Sequence, residues 1–299
     1  MFLPRTDLAM EAAALSVKAP DEKLEGVETN VRNEDDICIT HVRITDQRGE
    51  QIIGKPVGNY VTIECSALRD GDNKSPERVT EVFAKELAKI INPFKHGVIM
   101  VVGLGNRFVT PDSLGPCVSD GINVNRHISP HGVSLCSISP GVLGITGMET
   151  GEIIEGVNER IKPDLIIAID ALASRSMERI CTTIQIADTG ITPGSGVGNR
   201  RKELSRQTLG APVIAIGVPT VVDAATVAND SLEHILNSMA EDSSESEFFD
   251  ENKRYSLIKQ ILSPFFGELI VTPSQIDSVI ERVSKVISDG INLLGHNLK

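Results

Sequence analysis

Two short, unbroken apolar runs constrain this chain most: Val98-Ile99-Met100-Val101-Val102 and Leu165-Ile166-Ile167-Ala168-Ile169. Each is far shorter than the ~18 residues of a membrane-spanning helix. Each is also too continuous and too rich in β-branched residues for one stripe of a surface helix. Runs of this kind are strands buried on both faces, as in a parallel sheet covered by helices. The composition agrees. Hydrophobic residues make up 40% of the 299, yet aromatics are only 3% and Trp is absent, so Ile, Val, Leu and Ala must build the core.

Helical signals alternate with the strands. Ser75-Pro76 reads as an N-cap followed by Pro at the first helical position, and Val79, Val82, Phe83, Leu87, Ile90 and Ile91 mark the buried stripe behind it. A helix is expected over residues 111–125 and a short strand over Val133–Ser137. Thr150 is expected to cap a helix whose apolar face is Ile153, Ile154, Val157 and Ile161. Further strands are expected over residues 180–187 and 212–217, with a long helix from near Val221. Thr272-Pro273-Ser274-Gln275 has the form of a capping box, and Ile276, Val279, Ile280, Val283 and Ile287 follow on one face. Residues 36–46 and 59–66 alternate apolar and polar, as two half-buried strands that pair antiparallel would. Residues 1–34 are polar and weakly periodic, which predicts a surface-wrapping or mobile arm. Residues 241–252 read as an exposed acidic insertion. The expected fold is therefore a three-layer α/β sandwich with a mostly parallel central sheet, right-handed crossovers and an additional small β-containing lobe.

A net charge of −12 argues against binding nucleic acid through bulk electrostatics. The five scattered cysteines form no C-x-x-C pair, as expected of reduced thiols inside a cell. Met-Phe-Leu-Pro-Arg-Thr-Asp has no signal-peptide character, and no membrane association is expected.

In open α/β sheets the site lies beyond the carboxyl ends of the strands. After Val98–Val102 comes a loop leading to Asp112, and Asp170 follows Ile169 directly. Asp112, two residues after Thr110, reads either as an acid in the first turn of a helix or as a catalytic group. Asp170 reads either as a turn residue or as a functional charge at the end of an apolar strand. If their strands are neighbours, both carboxylates face one cleft. One can then act as base towards water while the other protonates a leaving amine, which is peptide hydrolysis without a metal or other cofactor. Gly103-Leu104-Gly105 follows a strand, but Phe108 stands where the dinucleotide fingerprint needs its third glycine. Gly194 and Gly196 belong to a Gly-rich stretch that reads either as a backbone nest for an anion or as a turn. Arg175, Arg179 and Arg201 form a basic cluster that either holds an acidic substrate side chain or is a solvated face.

Longer blocks are more specific than these motifs. Val101-Val-Gly-Leu-Gly-Asn, Thr110-Pro-Asp-Ser-Leu-Gly-Pro116, Pro163–Arg175, Asp188–Asn199 and Pro212–Ala224 are together similar to the spore germination proteases. The resemblance implies an endopeptidase that degrades small acid-soluble spore proteins during germination. Its catalytic aspartates are expected at Asp112 and Asp170, its fold is expected to be related to hydrogenase maturation endopeptidases, and it is expected to assemble as a homotetramer in the cytoplasm of the spore core. It also implies an inactive precursor that removes its own N-terminal segment, cutting after an acidic residue and before an apolar residue followed by Ala. Thr6-Asp7-Leu8-Ala9 offers that pattern. Cleavage at Asp7–Leu8 is expected, leaving residues 1–7 as a propeptide and 8–299 as a single peptidase domain. The alternative is a metal-dependent maturation endopeptidase of related fold, with the two aspartates as ligands.

Overall fold

The computed structural model describes residues 6–17, 24–71, 75–91, 97–128, 132–194, 202–240, 251–266 and 269–297. Its strands are β1 (Val27–Glu34), β2 (Ile37–Ile44), β3 (Gly58–Glu64), β4 (Gly97–Gly103), β5 (Val133–Ile138), β6 (Leu165–Ser174), β7 (Thr183–Ala187), β8 (Val213–Asp223) and β9 (Ile270–Val271). The helices before the first site loop are α1 (Ala9–Ser16), α2 (Gln47–Ile53), α3 (Ala67–Asp70) and α4 (Ser75–Ile91). After it come α5 (Leu114–Asp120), α6 (Leu143–Thr146), α7 (Thr150–Ile161), α8 (Arg206–Leu209), α9 (Ala224–Ala240), α10 (Glu251–Phe266) and α11 (Ile276–Asn297).

All the described strands join one sheet in the order β1-β2-β3-β7-β8-β6-β4-β5, with β9 added to the end of β8. The β5-β4-β6-β8 portion is parallel. The small β-containing part expected around residues 36–66 extends the same sheet antiparallel through β7.

Alternation along the two apolar runs divides the core between the sheet's faces. Ile99 and Val101 of β4, with Ile167 and Ile169 of β6, pack with Phe83 and Leu87 of α4, Leu114 of α5 and Ile287 of α11. Met100, Val102, Ile166 and Ala168 point the other way, onto Ile154 of α7 and Leu209 of α8. On that second face, further along the sheet, Ala9 and Ala13 of α1 pack with Val42, Tyr60, Ala187 and Ala215. The result is the expected three-layer α/β sandwich.

Several local expectations need correction. Residues 1–34 are not merely a polar arm, because they supply α1 and the edge strand β1. The helix expected over 111–125 is a 3-10 turn at Thr110–Asp112 followed by the seven-residue α5, and the chain then turns irregular. Strand β8 runs through Val221 to Asp223, so α9 begins at Ala224. Glu149 rather than Thr150 caps α7, through a capping box with Glu152. Helix α11 begins at Ile276, and the Thr272 hydroxyl donates to the Thr220 carbonyl at 2.9 Å. The acidic stretch 241–250 lies outside the described residues.

One buried charge lies far from the strand ends that matter for chemistry. Glu86 of α4 is 1% exposed and is held by Arg32 at 2.7 Å and Lys89 at 2.7 Å, with His41 Nε2 at 3.2 Å. Burial opposes its ionisation, but the hydrogen bonds from Lys89 and Arg32 outweigh burial and hold the carboxyl below its ordinary value of 4.5. A depressed acid contributes stability above its unfolded pKa, and that stability is lost as pH falls through the folded one. Glu86→Gln is expected to lower stability by about 2 kcal/mol at pH 7. It should also remove part of the wild-type loss below pH 4.5, as read from urea melts across pH.

Candidate active site

Strands β4 and β6 are hydrogen-bonded neighbours, in register from Ile99↔Leu165 to Gly103↔Ile169. There β4 leaves the sheet, and the Leu104 N–H makes a last bond to the Ile169 carbonyl at 2.8 Å. Strand β6 continues to Ser174 alongside β8 alone. Asp170 therefore does not end its strand, as the sequence suggested. It is the first residue of β6 past the departing neighbour, and alternation sends it to the face of Ile166 and Ala168. It is 6% exposed, and its Oδ1 accepts the Ala171 N–H at 3.0 Å.

The loop that leaves β4 folds back tightly to bring Asp112 to the same place. The Asn106 N–H donates to Asp112 Oδ2 at 2.8 Å, the Asp112 N–H donates to the Val109 carbonyl at 2.8 Å, and the Phe108 N–H donates to Asn106 Oδ1 at 3.0 Å. Two glycines permit this return. Gly105 has φ +105°, and a Cβ there would collide with the Asp112 carbonyl oxygen. Gly115 of α5 is pressed against both strand ends, where a Cβ would lie 2.5 Å from the Leu104 nitrogen and 2.7 Å from the Ile169 oxygen. The Gly-Leu-Gly sequence thus serves chain reversal onto Asp112. Asp112 belongs to a 3-10 turn ahead of α5 rather than to the first turn of a helix, and a loop N–H holds its carboxylate.

Asp112 and Asp170 line one cleft of about 360 Å³. Asp7 lines it too, as do Gly194 and Thr220. The register between β6 and β8 shifts after Leu172, which leaves Thr220 as the extra residue of a bulge, a device that re-aims a side chain. Thr220 is 1% exposed, and its hydroxyl has no hydrogen-bond partner among the described residues.

The chain around Asp7 is held at this cleft. The Asp7 N–H donates to the Ala173 carbonyl at 3.1 Å, and the Ala173 N–H donates back to Asp7 Oδ2 at 3.0 Å. Leu8 is fully buried. Gln185 of β7 donates to the Asp7 carbonyl at 3.1 Å and accepts the Ala9 N–H at 2.7 Å. Lys55 donates to the Thr6 carbonyl at 3.1 Å. Burial pushes its ammonium pKa down, opposed by Asp7 and Glu11.

Arg175 and Arg179 are absent from the lining of this cleft. Glu11 of α1, 3% exposed, accepts the Arg175 N–H at 2.8 Å, the Ser176 N–H at 3.1 Å and an Arg179 guanidinium N–H at 3.2 Å. The Arg175 guanidinium pairs with Asp230 at 2.9 Å, and Arg179 also pairs with Glu64 at 2.9 Å. The acids these guanidinium groups meet are thus the chain's own: Asp230 for Arg175, and Glu11, three residues past Leu8, with Glu64 for Arg179. Gly196 and Arg201 lie outside the described residues. Reading the sequence missed Gln185, Lys55, Thr220 and Glu11. Only Gln185 carried a visible signal, as a lone amide between Ile184 and Ile186.

Among the described residues no cluster of three His, Cys, Asp or Glu has metal-holding geometry, and no helix is long and apolar enough to cross a membrane. All five cysteines are free, and burial pushes the Cys181 thiol up to about 12.

The strand-end cleft with its two carboxylates is the kind of site a hydrolase builds on an α/β sheet, and comparison with known proteins specifies the class. Residues 4–249 match the profile of the family described as "Germination protease". A germination protease of Caldanaerobacter subterraneus subsp. tengcongensis is 48% identical, over 97% of this chain and 93% of the relative. One from Clostridium acetobutylicum is 46% identical over 97% and 94%, and one from Bacillus cereus is 41% identical over 98% and 94%. The chain belongs to the germination protease family and is a peptidase.

Proposed function

We propose that this protease is an aspartate-dependent endopeptidase that begins the breakdown of small acid-soluble spore proteins during germination, acting in the spore core. We also propose that it is made as a precursor and cuts its own Asp7–Leu8 bond, with residues 1–7 as propeptide and 8–299 as the peptidase domain. One observation carries this reading: Asp112, Asp170 and Asp7 all line a single cleft.

In the proposed reaction, a water adds to the carbonyl carbon of the acidic residue while one of Asp112 and Asp170 takes its proton. The other passes a proton to the nitrogen of the following residue, the C–N bond breaks, and a carboxylate and an amine leave. Gly194 in the cleft wall is a proposed substrate contact, and Gly196 and Arg201, which lie outside the described residues, are proposed with it. Arg179 is proposed to hold α1 through its guanidinium on Glu11, and Arg175 through its backbone N–H on the same carboxylate. A homotetramer is the proposed assembly, supported by exposed apolar side chains on α9 and α10 such as Ile235, Leu257 and Ile261.

The test is digestion of a purified small acid-soluble spore protein with fragment mapping by mass spectrometry. The expected cuts follow an acidic residue and precede an apolar residue followed by Ala. Scattered cuts, or none, would contradict the proposal.

A further inference from the structure

Strand register places three residues in one row across the sheet. Gln185 of β7 pairs with Gly217 of β8, and Gly217 pairs with Asp170 of β6. Residues paired in register share a face, so the Gln185 and Asp170 side chains rise on the same side, two strand spacings or roughly 10 Å apart at the backbone. Between them stands a residue with no side chain. The segment carrying Asp7 bridges this interval, since Ala173 of β6 holds one part of it and Gln185 of β7 holds another.

Gln185 is 7% exposed, and its strand neighbours Ile184 and Ile186 are fully buried in the opposite core. A buried amide needs partners for both its ends. Here both ends are used on the two sides of a single residue, Leu8. The donor end meets the carbonyl oxygen of Asp7 at 3.1 Å, which is the carbonyl of the bond proposed to be cut. The acceptor end meets the N–H of Ala9 at 2.7 Å. The second contact fastens α1 to the sheet. The first aims a fixed N–H dipole at the oxygen where negative charge develops when water adds to the carbonyl.

We propose that Gln185 is a further catalytic residue of self-processing: its Oε1 fixes the register of the chain, and its Nε2–H donates to the oxyanion formed at Asp7. This rests on the reading that Asp7–Leu8 is the bond cut. The donor–acceptor division makes the two roles separable. Gln185→Glu keeps the acceptor for Ala9 but has no donor while ionised, and Gln185→Met fills similar volume with neither.

The experiment follows loss of residues 1–7 by intact mass in wild type, Gln185→Glu and Gln185→Met, with hydrogen exchange of the α1 amides measured in parallel. Wild type is expected to lose the segment. Both variants should do so about 10²–10³-fold more slowly, the loss typical of removing one oxyanion donor. In Gln185→Glu, α1 should stay protected, and the ratio of its rate to wild type should rise as pH falls, because the protonated carboxyl regains a donor. A merely structural anchor would not give that pH-dependent recovery. If wild type processes at Asp7–Leu8 and both variants keep pace within threefold, the role of Gln185 is wrong while the cleavage site stands. If wild type never cuts there, the assignment of the bond fails and takes this proposal with it. Should Gln185→Glu not fold, a Gln185→Met protein with protected α1 and unimpaired processing would by itself overturn the proposal.

Discussion

Asp170→Asn and Asp112→Asn are each expected to slow cleavage of a peptide containing Thr-Asp-Leu-Ala by about 10²–10⁴-fold, the contribution of a positioned acid or base. Both substitutions preserve shape. The amide oxygen that replaces a carboxylate oxygen at position 170 can still accept the Ala171 N–H, and the one at position 112 can still accept the Asn106 N–H. Melting temperatures read in parallel tell a lost catalytic group from a lost fold. Because one water and one departing amine need both groups together, the double variant should be scarcely slower than either single one, as for other residues that act as a unit. Steady-state rates of the three variants read this directly. Multiplicative losses would mean that the two carboxylates serve separate events.

Gly115→Ala is expected to destabilise the fold by about 4 kcal/mol and to abolish activity with it. The three atoms nearest the added methyl are all backbone, among them the Leu104 nitrogen at 2.5 Å and the Ile169 oxygen at 2.7 Å. No flexible side chain can move aside, so α5 must lift off the two strand ends that fix Asp112 and Asp170, a form of overpacking at the severe end of its range. Gly156 supplies the internal contrast. It lies in α7, where an added methyl would have nothing within 4 Å, and Gly156→Ala should stabilise by about 0.5–1 kcal/mol. Chemical denaturation of both variants gives the two opposite signs.

The parts of this architecture that depend on local pattern could be read from the chain. The two apolar runs, the stripes of α4 and α11, and the pairing of β2 with β3 follow from periodicity. So did the idea that Asp112 and Asp170 share a cleft, given that β4 and β6 are adjacent. What escaped depends on distant partners. Strand β6 continues past Asp170 because β8 continues beside it, yet Ala-Leu-Ala-Ser carries no strong strand signal, and Val221 resembled the start of a helix. Strand β1, Val-Glu-Thr-Asn-Val-Arg-Asn-Glu, is an edge strand with polar residues on both faces, so only β2 makes it a strand. Arg175 and Arg179 followed Asp170 closely enough to suggest a substrate contact. Their partner Glu11 is 164 and 168 residues away in the chain, and no spacing rule connects them.

The most direct measurement is the mass of the purified chain over time under activating conditions, for wild type and for Asp112→Asn and Asp170→Asn separately. Wild type should shorten by residues 1–7 and present Leu8 as its new N-terminus, while both variants keep Asp7 joined to Leu8. Removal of that segment at an undiminished rate in either variant would contradict the claim that these two aspartates together cut the bond.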